Sequence, residues 1–303
     1  MRNDMNTNES LDAEFVKDGV YEQKGYLNQD FRYFHLCDQK KQEYSYHYHE
    51  FDKLLLFLKG KSDYLIEGKK YELKPFDFVL VNQYDIHKPV VDSSDEYDRI
   101  IIYINHDFLA SFSGGDNDDN KYSLLDCFNN ARALKTNVVR FPAGISASLY
   151  DKLINIEKNI ASEDKEYAGN LITRLNMISF LIDFNKACKE TKYSFYPEAQ
   201  YNSKIIEIIE YINDNLDKNL SIDYLADNFF MSKYHMMRIF RSETGYSIHQ
   251  YVTEKRILKA RDLIISGVPA TTAALESGFH DYSSFTRAYK NQLGSLPSET
   301  VKK

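Results

Sequence analysis

Two stretches near the end of the chain repeat one pattern, and that repeat limits the fold more than any other feature. Met231–Gly245, MSKYHMMRIFRSETG, and Phe279–Gly294, FHDYSSFTRAYKNQLG, align as cap, aromatic, a short variable run, Arg, aromatic, basic residue and Gly. Ser232 and Asp281 read as helix N-caps and Gly245 and Gly294 as C-terminal stops. Each stretch follows a shorter helical segment: Ser221 caps one that begins at Ile222, and the other runs from Thr271 to Glu276 before a turn at Gly278. One long helix, Ile248 to Ile265, lies between the two pairs. Short helix, tight turn and capped second helix, occurring twice, make a doubled helix-turn-helix. At 3.6 residues per turn, Met236, Ile239 and Phe240 face inward on the first copy, leaving Tyr234, Met237, Arg238 and Arg241 outward. On the second, Phe285, Ala288 and Tyr289 face inward, leaving Tyr282, Ser283, Thr286, Arg287 and Lys290 outward. Ile205, Ile208, Ile209, Ile212 and Leu216 add one apolar stripe ahead of the first pair.

The front of the chain has a different period. Between Phe31 and Tyr103, short runs rich in Leu, Ile, Val, Tyr and Phe (Lys53–Leu58, Asp63–Ile66, Tyr71–Leu73, Phe78–Val81, Arg99–Ile104) alternate with turn pieces such as Glu67-Gly68-Lys69 and Lys74-Pro75-Phe76-Asp77. Strands this short and regular indicate a small antiparallel barrel or sandwich. Residues 113–120, SGGDNDDN, read as a mobile loop closing it. From Ile145 to Lys189 the rhythm turns helical: Leu149, Leu153, Ile156 and Ile160 form one seam, Leu171, Leu175, Ile178 and Ile182 another. Either seam can pack on its own barrel or on a second subunit. Residues 191–203, with Pro197, break the periodicity. The expected organisation is a β domain with a helical dimerisation segment over 1–190, a linker over 191–202 and an all-α domain over 203–303.

With 303 residues, 43% hydrophobic and 27% charged, the chain is long enough for two ordinary domains, and collagen-like, disulfide-scaffold and wholly disordered readings fail. No apolar run approaches the ~20 residues that cross a bilayer. The polar start MRNDMNTNES has no signal core, and Cys37, Cys127 and Cys188 are too few and too scattered for a disulfide frame. A cytoplasmic protein without membrane attachment is the expectation. From Ser203 onward 13 basic residues meet 12 acidic ones, so bulk charge does not signal nucleic-acid binding. That signal has to come from local faces.

Over its last hundred or so residues the chain resembles the DNA-binding domain of the AraC/XylS family of transcription regulators. The resemblance rests on Ala226, Ser232, Arg238, Phe240, Gly278-Phe279, Phe285, Gly294 and Pro297-Ser298-Glu299. It departs at Phe230, where the family often has Gly at the first turn, which leaves room for a different local backbone without loss of function. It departs also at His280, where a small polar residue is usual. The resemblance implies that the second helix of each unit enters a major groove of double-stranded DNA, the two about 34 Å apart. Tyr234, Met237 and Arg238 then meet one groove, and Tyr282, Ser283, Thr286 and Arg287 the next. Arg238 and Arg287 are placed to read guanine edges, whereas Arg241, Lys255 and Lys290 fit phosphate contacts.

The front half, with Tyr46-His47-Tyr48-His49 and Asp85-Ile86-His87, resembles the cupin-like sensory domain found in that family. His47, His49 and His87 occupy places that bind metal in metal-dependent cupins, but Lys53 stands where those have Glu, and Phe76 where Gly usually follows Pro75. A cation there opposes a metal, so no metal, no cofactor and no catalytic residue is expected. His47, His49, Lys53 and His87 are the candidate effector-binding groups, suited to a small molecule with a negative or strongly accepting group. The family implies a homodimeric, effector-responsive activator that contacts RNA polymerase. The competing reading is a metal-dependent cupin enzyme with an accessory helical domain, and a third is a protein-interaction adaptor.

Overall fold

The computed structural model describes residues 16–17, 20–21, 24–25, 27, 29–38, 44–92, 95–115, 121–190, 195–196 and 200–302. Most of the expected linker and residues 116–120 of the expected loop lie outside them. The chain divides into two compact units, residues 1–66 with 70–200, and residues 67–69 with 201–303.

The first unit contains β1 (Val16–Lys17), β2 (Val20–Tyr21), β3 (Lys24–Gly25), β4 (Phe31–Asp38), β5 (Tyr48–His49), β6 (Asp52–Lys59), β7 (Ser62–Ile66), β8 (Lys69–Glu72), β9 (Phe78–Val81), β10 (His87–Val91), β11 (Tyr97–Ile104), β12 (Ser113–Gly114), β13 (Tyr122–Ser123), β14 (Val138–Val139) and β15 (Phe195–Tyr196). Its helices are α1 (His106–Ala110), α2 (Asp126–Ala133), α3 (Ala143–Ser162) and α4 (Gly169–Glu190). A six-stranded sheet runs β15-β14-β9-β6-β11-β4, and a second sheet has β10, β7 and β8 in that order.

Strand β6 shows why its sequence is apolar almost without interruption. Leu54 and Leu56 face a core shared with Phe128 of α2, Leu149, Leu153 and Ile156 of α3, and Met177, Phe180, Leu181 and Phe184 of α4. Leu55 and Phe57 face the opposite way, into a core with Tyr64, Ile66 and Tyr71 of the second sheet. A strand covered on both faces loses the polar alternation of a half-exposed one. Each fully buried Leu there contributes about 2 kcal/mol of apolar transfer. The turn after β8 is held by Asp77, whose carboxylate accepts from the Lys74 N–H at 2.8 Å and from Arg140 at 2.6 Å through each oxygen. Phe76 takes a left-handed φ of 69° in this turn, the conformation a glycine would supply, with its ring edge-on to Tyr150.

The two helical seams behave differently. On α3, Leu149, Leu153 and Ile156 are buried, so that seam packs on its own barrel. On α4 the buried face is Thr173, Met177, Phe180, Leu181, Phe184, Ala187 and Cys188, while Leu171, Leu175 and Ile182 are more than half exposed. At 100° per residue Leu171, Leu175, Ile178 and Ile182 fall within a stripe about 60° wide. One expectation needs correction. Ser113 and Gly114 form β12, paired with β13, rather than part of a free loop. Strands β4 and β10 and helices α1 and α2 were not singled out from the sequence.

The second unit consists of α5 (Ser203–Asp214), α6 (Ile222–Asn228), α7 (Lys233–Thr244), α8 (Ile248–Ile265), α9 (Ala270–Glu276) and α10 (Tyr282–Leu293). Ile205, Ile208, Ile209 and Ile212 bury one face of α5, as the stripe requires. A capping box at Ser247 and Gln250 starts α8. Arg256 of α8 donates to the carbonyls of Leu216 at 2.8 Å and Lys218 at 2.7 Å, fixing the segment after α5 to the long helix. Among the described residues no helix is long and apolar enough to cross a membrane.

Candidate functional site

Helices α7 and α10 are set by the same local devices. The Ser232 side chain accepts from the His235 N–H at 3.4 Å, and Asp281 accepts from the N–H groups of Ser283 at 3.3 Å and Ser284 at 2.7 Å. The Ser284 side chain, together with those backbone bonds and the Arg287 charge, holds the Asp281 carboxyl below the usual carboxylate range. Gly245 and Gly294 end the helices in the left-handed conformation, with φ of 76° and 74°. Met236 and Phe240 anchor α7, and Phe285 and Tyr289 anchor α10, all fully buried.

What remains outward is the face read from the sequence. Tyr234, Met237, Arg238 and Arg241 are exposed on α7, and Tyr282, Ser283, Arg287 and Lys290 on α10. Thr286 is half-buried and its hydroxyl donates to the Tyr282 carbonyl at 2.9 Å, which leaves it only acceptor capacity for a partner. Lys255 on α8 is only partly exposed. His235 was not singled out, yet its Nδ1 lies 3.5 Å from an Arg238 guanidinium nitrogen, one turn along the same face. The i, i+3 spacing from Arg238 was the available signal. His280 is exposed and lines a groove of about 500 Å³ with Ser221, His249 and Arg256.

At the first turn the backbone is left-handed. Phe230 itself adopts φ 52° and is 91% exposed, so it accepts the torsion without needing space.

In the first unit the structure brings all four candidate effector residues together. His47 and His87 form an antiparallel bridge, each N–H donating to the other's carbonyl, which sets their rings 4.2 Å apart between centroids. The His49 and His87 rings are 4.8 Å apart. Each Nδ1 sits on a main-chain carbonyl: His47 on Ser45 at 3.0 Å, His49 on Phe51 at 2.6 Å, His87 on Asp85 at 2.9 Å. A carbonyl can only accept, so Nδ1 carries the hydrogen in all three and Nε2 presents a lone pair. Nε2 of His49 and of His87 are buried without a hydrogen-bond partner among the described residues. Burial and the Lys53 charge push His47 down to about 4, and burial pushes His49 and His87 well below the ordinary histidine value.

Lys53 lies in the same space, 5% exposed. It pairs across the sheet with Tyr103 of β11 and Val81 of β9, and its Nζ stands 5.8 Å from the Tyr103 ring centroid and 5.5 Å from that of Tyr64. Burial, with the charge of Arg99, pushes its ammonium down to about 7. Sequence reading missed the rings that complete the cluster: Phe51 stacks on His49 at 4.0 Å, and Tyr64 lies parallel to His87 at 6.0 Å. The period-two alternation of β6 was the signal that Lys53 points the same way as Leu55. No group of three or more His, Cys, Asp or Glu side chains among the described residues is arranged to hold a metal ion.

A doubled helix-turn-helix with matching outward arginines, in one chain with a β unit of two facing sheets, is the construction of a DNA-binding regulator with a sensory domain. Residues 225–303 match the model of a helix-turn-helix domain and residues 29–140 that of an AraC-like ligand binding domain. The probable transcriptional regulator LumQ of Photobacterium leiognathi is 25% identical over 257 residues, 84% of this chain and 90% of LumQ. The multiple antibiotic resistance protein MarA of Escherichia coli is 34% identical over 94 residues, 31% of this chain and 74% of MarA. A crystal structure of a probable AraC family transcriptional regulator from Rhodopseudomonas palustris is 28% identical, with a TM-score of 0.31, over 33% of this chain and 96% of that one. The chain belongs to the AraC/XylS family of transcription regulators. It is a DNA-binding regulator with a cupin-like N-terminal domain and a C-terminal helix-turn-helix domain, and the cupin-enzyme reading is not favoured.

Proposed function

We propose that this protein is a cytoplasmic, homodimeric, effector-responsive activator and not an enzyme, with residues 1–190 sensing and dimerising, 191–202 linking and 203–303 binding DNA. The repeated outward face carries the reading: two capped helices, each anchored by buried aromatics, present Arg238 and Arg287 at equivalent places. Tyr234, Met237 and Arg238 meet one major groove, and Tyr282, Ser283, Thr286 and Arg287 the next, with Arg241 and Lys290 on phosphates. Titrating the full chain with its specific site and with random DNA over a range of salt tests this. Loss of the salt dependence expected for phosphate contacts would return the helical unit to the adaptor class.

The exposed stripe Leu171, Leu175 and Ile182 supports α4, and not α3, as the subunit contact. Leu175→Lys should give monomers by sedimentation at micromolar concentration; an unchanged dimer refutes this assignment. The effector binds in the barrel at His47, His49, Lys53 and His87, and its occupation shifts how a dimer spans its half-sites and engages RNA polymerase. His47→Ala and Lys53→Ala should abolish the response of a reporter while DNA binding persists. An unchanged response in both removes the effector from the barrel.

A further inference from the structure

Lys53 is an unusual lysine. Its amine is inside the protein and lies over the rings of Tyr64 and Tyr103, and among the described residues no carboxylate forms an ion pair with it. A buried ammonium is ordinarily paired, because the uncompensated charge is costly. Here the surroundings disfavour the charge further. Arg99 repels it, and Arg99 itself is satisfied elsewhere, donating to Asp38 at 2.5 Å and to the Tyr97 carbonyl at 2.9 Å. The imidazoles of His47, His49 and His87 also couple electrostatically to Lys53 and offer it lone pairs on Nε2 and no negative charge. A desolvated lysine beside another cation is the environment that makes a lysine amine a nucleophile toward carbonyl carbon.

We propose that Lys53 is a covalent sensor, and that the effector is a small aldehyde or ketone which Lys53 captures as a reversible imine inside the ring-lined barrel. The inference rests on the effector reading above and narrows it to one class of ligand. The lone pair on Nζ attacks the carbonyl carbon, and the C=O π pair moves to oxygen. The proton lost from nitrogen passes to that oxygen, with the unpartnered Nε2 of His49 or His87 as the neighbouring acceptor that relays it. The carbinolamine then expels its hydroxyl with a second proton as water, leaving C=N. Amine and carbonyl become imine and water, no oxidant or reductant is consumed, and hydrolysis reverses the step. The rings of Phe51, Tyr64 and Tyr103 help to keep bulk water from the amine, which is 5% exposed at the residue level.

The charged and titratable groups facing Lys53 are Arg99 and Tyr103 from β11, Tyr64 from β7, His87 from β10, and His47 and His49 beside and on β5. With its ammonium near 7, Lys53 is about half neutral at pH 7, against roughly one part in two thousand for an ordinary lysine. The test uses the full-length protein with butanal and sodium cyanoborohydride, which reduces the imine to a stable butyl amine, read by peptide mass mapping. At pH 7 Lys53 should be labelled at least about 100-fold faster than exposed lysines such as Lys61, and its rate should level off just above pH 7. Lys53→Arg should remove the fast phase and leave the slow one. Labelling of Lys53 no faster than Lys61 overturns the proposal. In that case butanoate separates the two readings: if it raises the unfolding temperature of the native protein but not of Lys53→Met, the barrel takes an acid by ion pairing, and the effector reading stands without the imine. If butanoate also does nothing and the reporter response survives Lys53→Ala, both readings fall.

Discussion

The two helix-turn-helix units of this chain reach the same backbone conformation at their turns with opposite residues. Phe230 holds φ 52° in the first and Gly278 holds φ 90° in the second. The surroundings differ more than the torsion. Phe230 stands in solvent, so it pays only the steric cost of a left-handed L-residue. Gly278 is wedged against the segment after α5 and against α8: a Cβ there would sit 2.1 Å from the Leu216 carbonyl oxygen and 2.7 Å from Nε of Arg256. A glycine missing from a family pattern therefore reports on free space around a turn, and the backbone path can be unchanged. Phe76 makes the same point in the barrel, with φ 69° and an exposed ring.

The contrast can be broken by substitution. Gly278→Ala should have the largest effect, lowering stability by about 3 kcal/mol through clash and torsion together, measured by chemical denaturation of the full chain. A loss under about 1 kcal/mol would mean that the second turn has slack like the first. Next come the outward faces. Arg238→Ala and Arg287→Ala should each cost about 1–3 kcal/mol at the specific site and relax preference at one base pair. Equal losses on specific and random DNA would show that neither unit reads bases, and unequal specific losses would rank the units. Lys290→Ala should weaken every sequence alike and reduce the salt slope by about 1. The smallest change is Phe230→Gly, expected to stabilise by about 0.5 kcal/mol, since torsional relief exceeds the entropy added to the unfolded chain. Destabilisation on that substitution would reveal a contact made by the Phe230 ring.

The helical half was legible because its signals are local. Caps at Ser221, Ser232 and Asp281, stops at Gly245 and Gly294, and apolar spacing within single helices place α6 to α10 almost residue by residue. The barrel was less legible because its order is non-local. β4 is half-buried along nearly its whole length, so its sequence, FRYFHLCD, shows no clean alternation. His47, His49, Lys53 and His87 were found through positional resemblance. The rings of Phe51, Tyr64 and Tyr103 were not, because they join them only through the register of β6 with β11 and the facing of two sheets. Which seam faces outward was likewise invisible to periodicity, since both have the same rhythm and only the barrel's presence against α3 distinguishes them.

The strand order also bears on how the chain acquires its fold in time. Among the described residues β4 lies at the edge of its sheet and pairs with β11, Phe31 opposite Ile104 and Asp38 opposite Tyr97. At the other edge β15 joins through β14, Val139 opposite Phe195. During synthesis β4 waits for Ile104 to emerge, and the sheet stays unfinished until Tyr196 has left the ribosome. The helical unit, built mostly from neighbours in sequence, needs no such wait, and low contact order makes it the faster folder. Synthesis from the N-terminus therefore gives the slower half its head start, and an order with the barrel last would leave its unpaired edges exposed for longer.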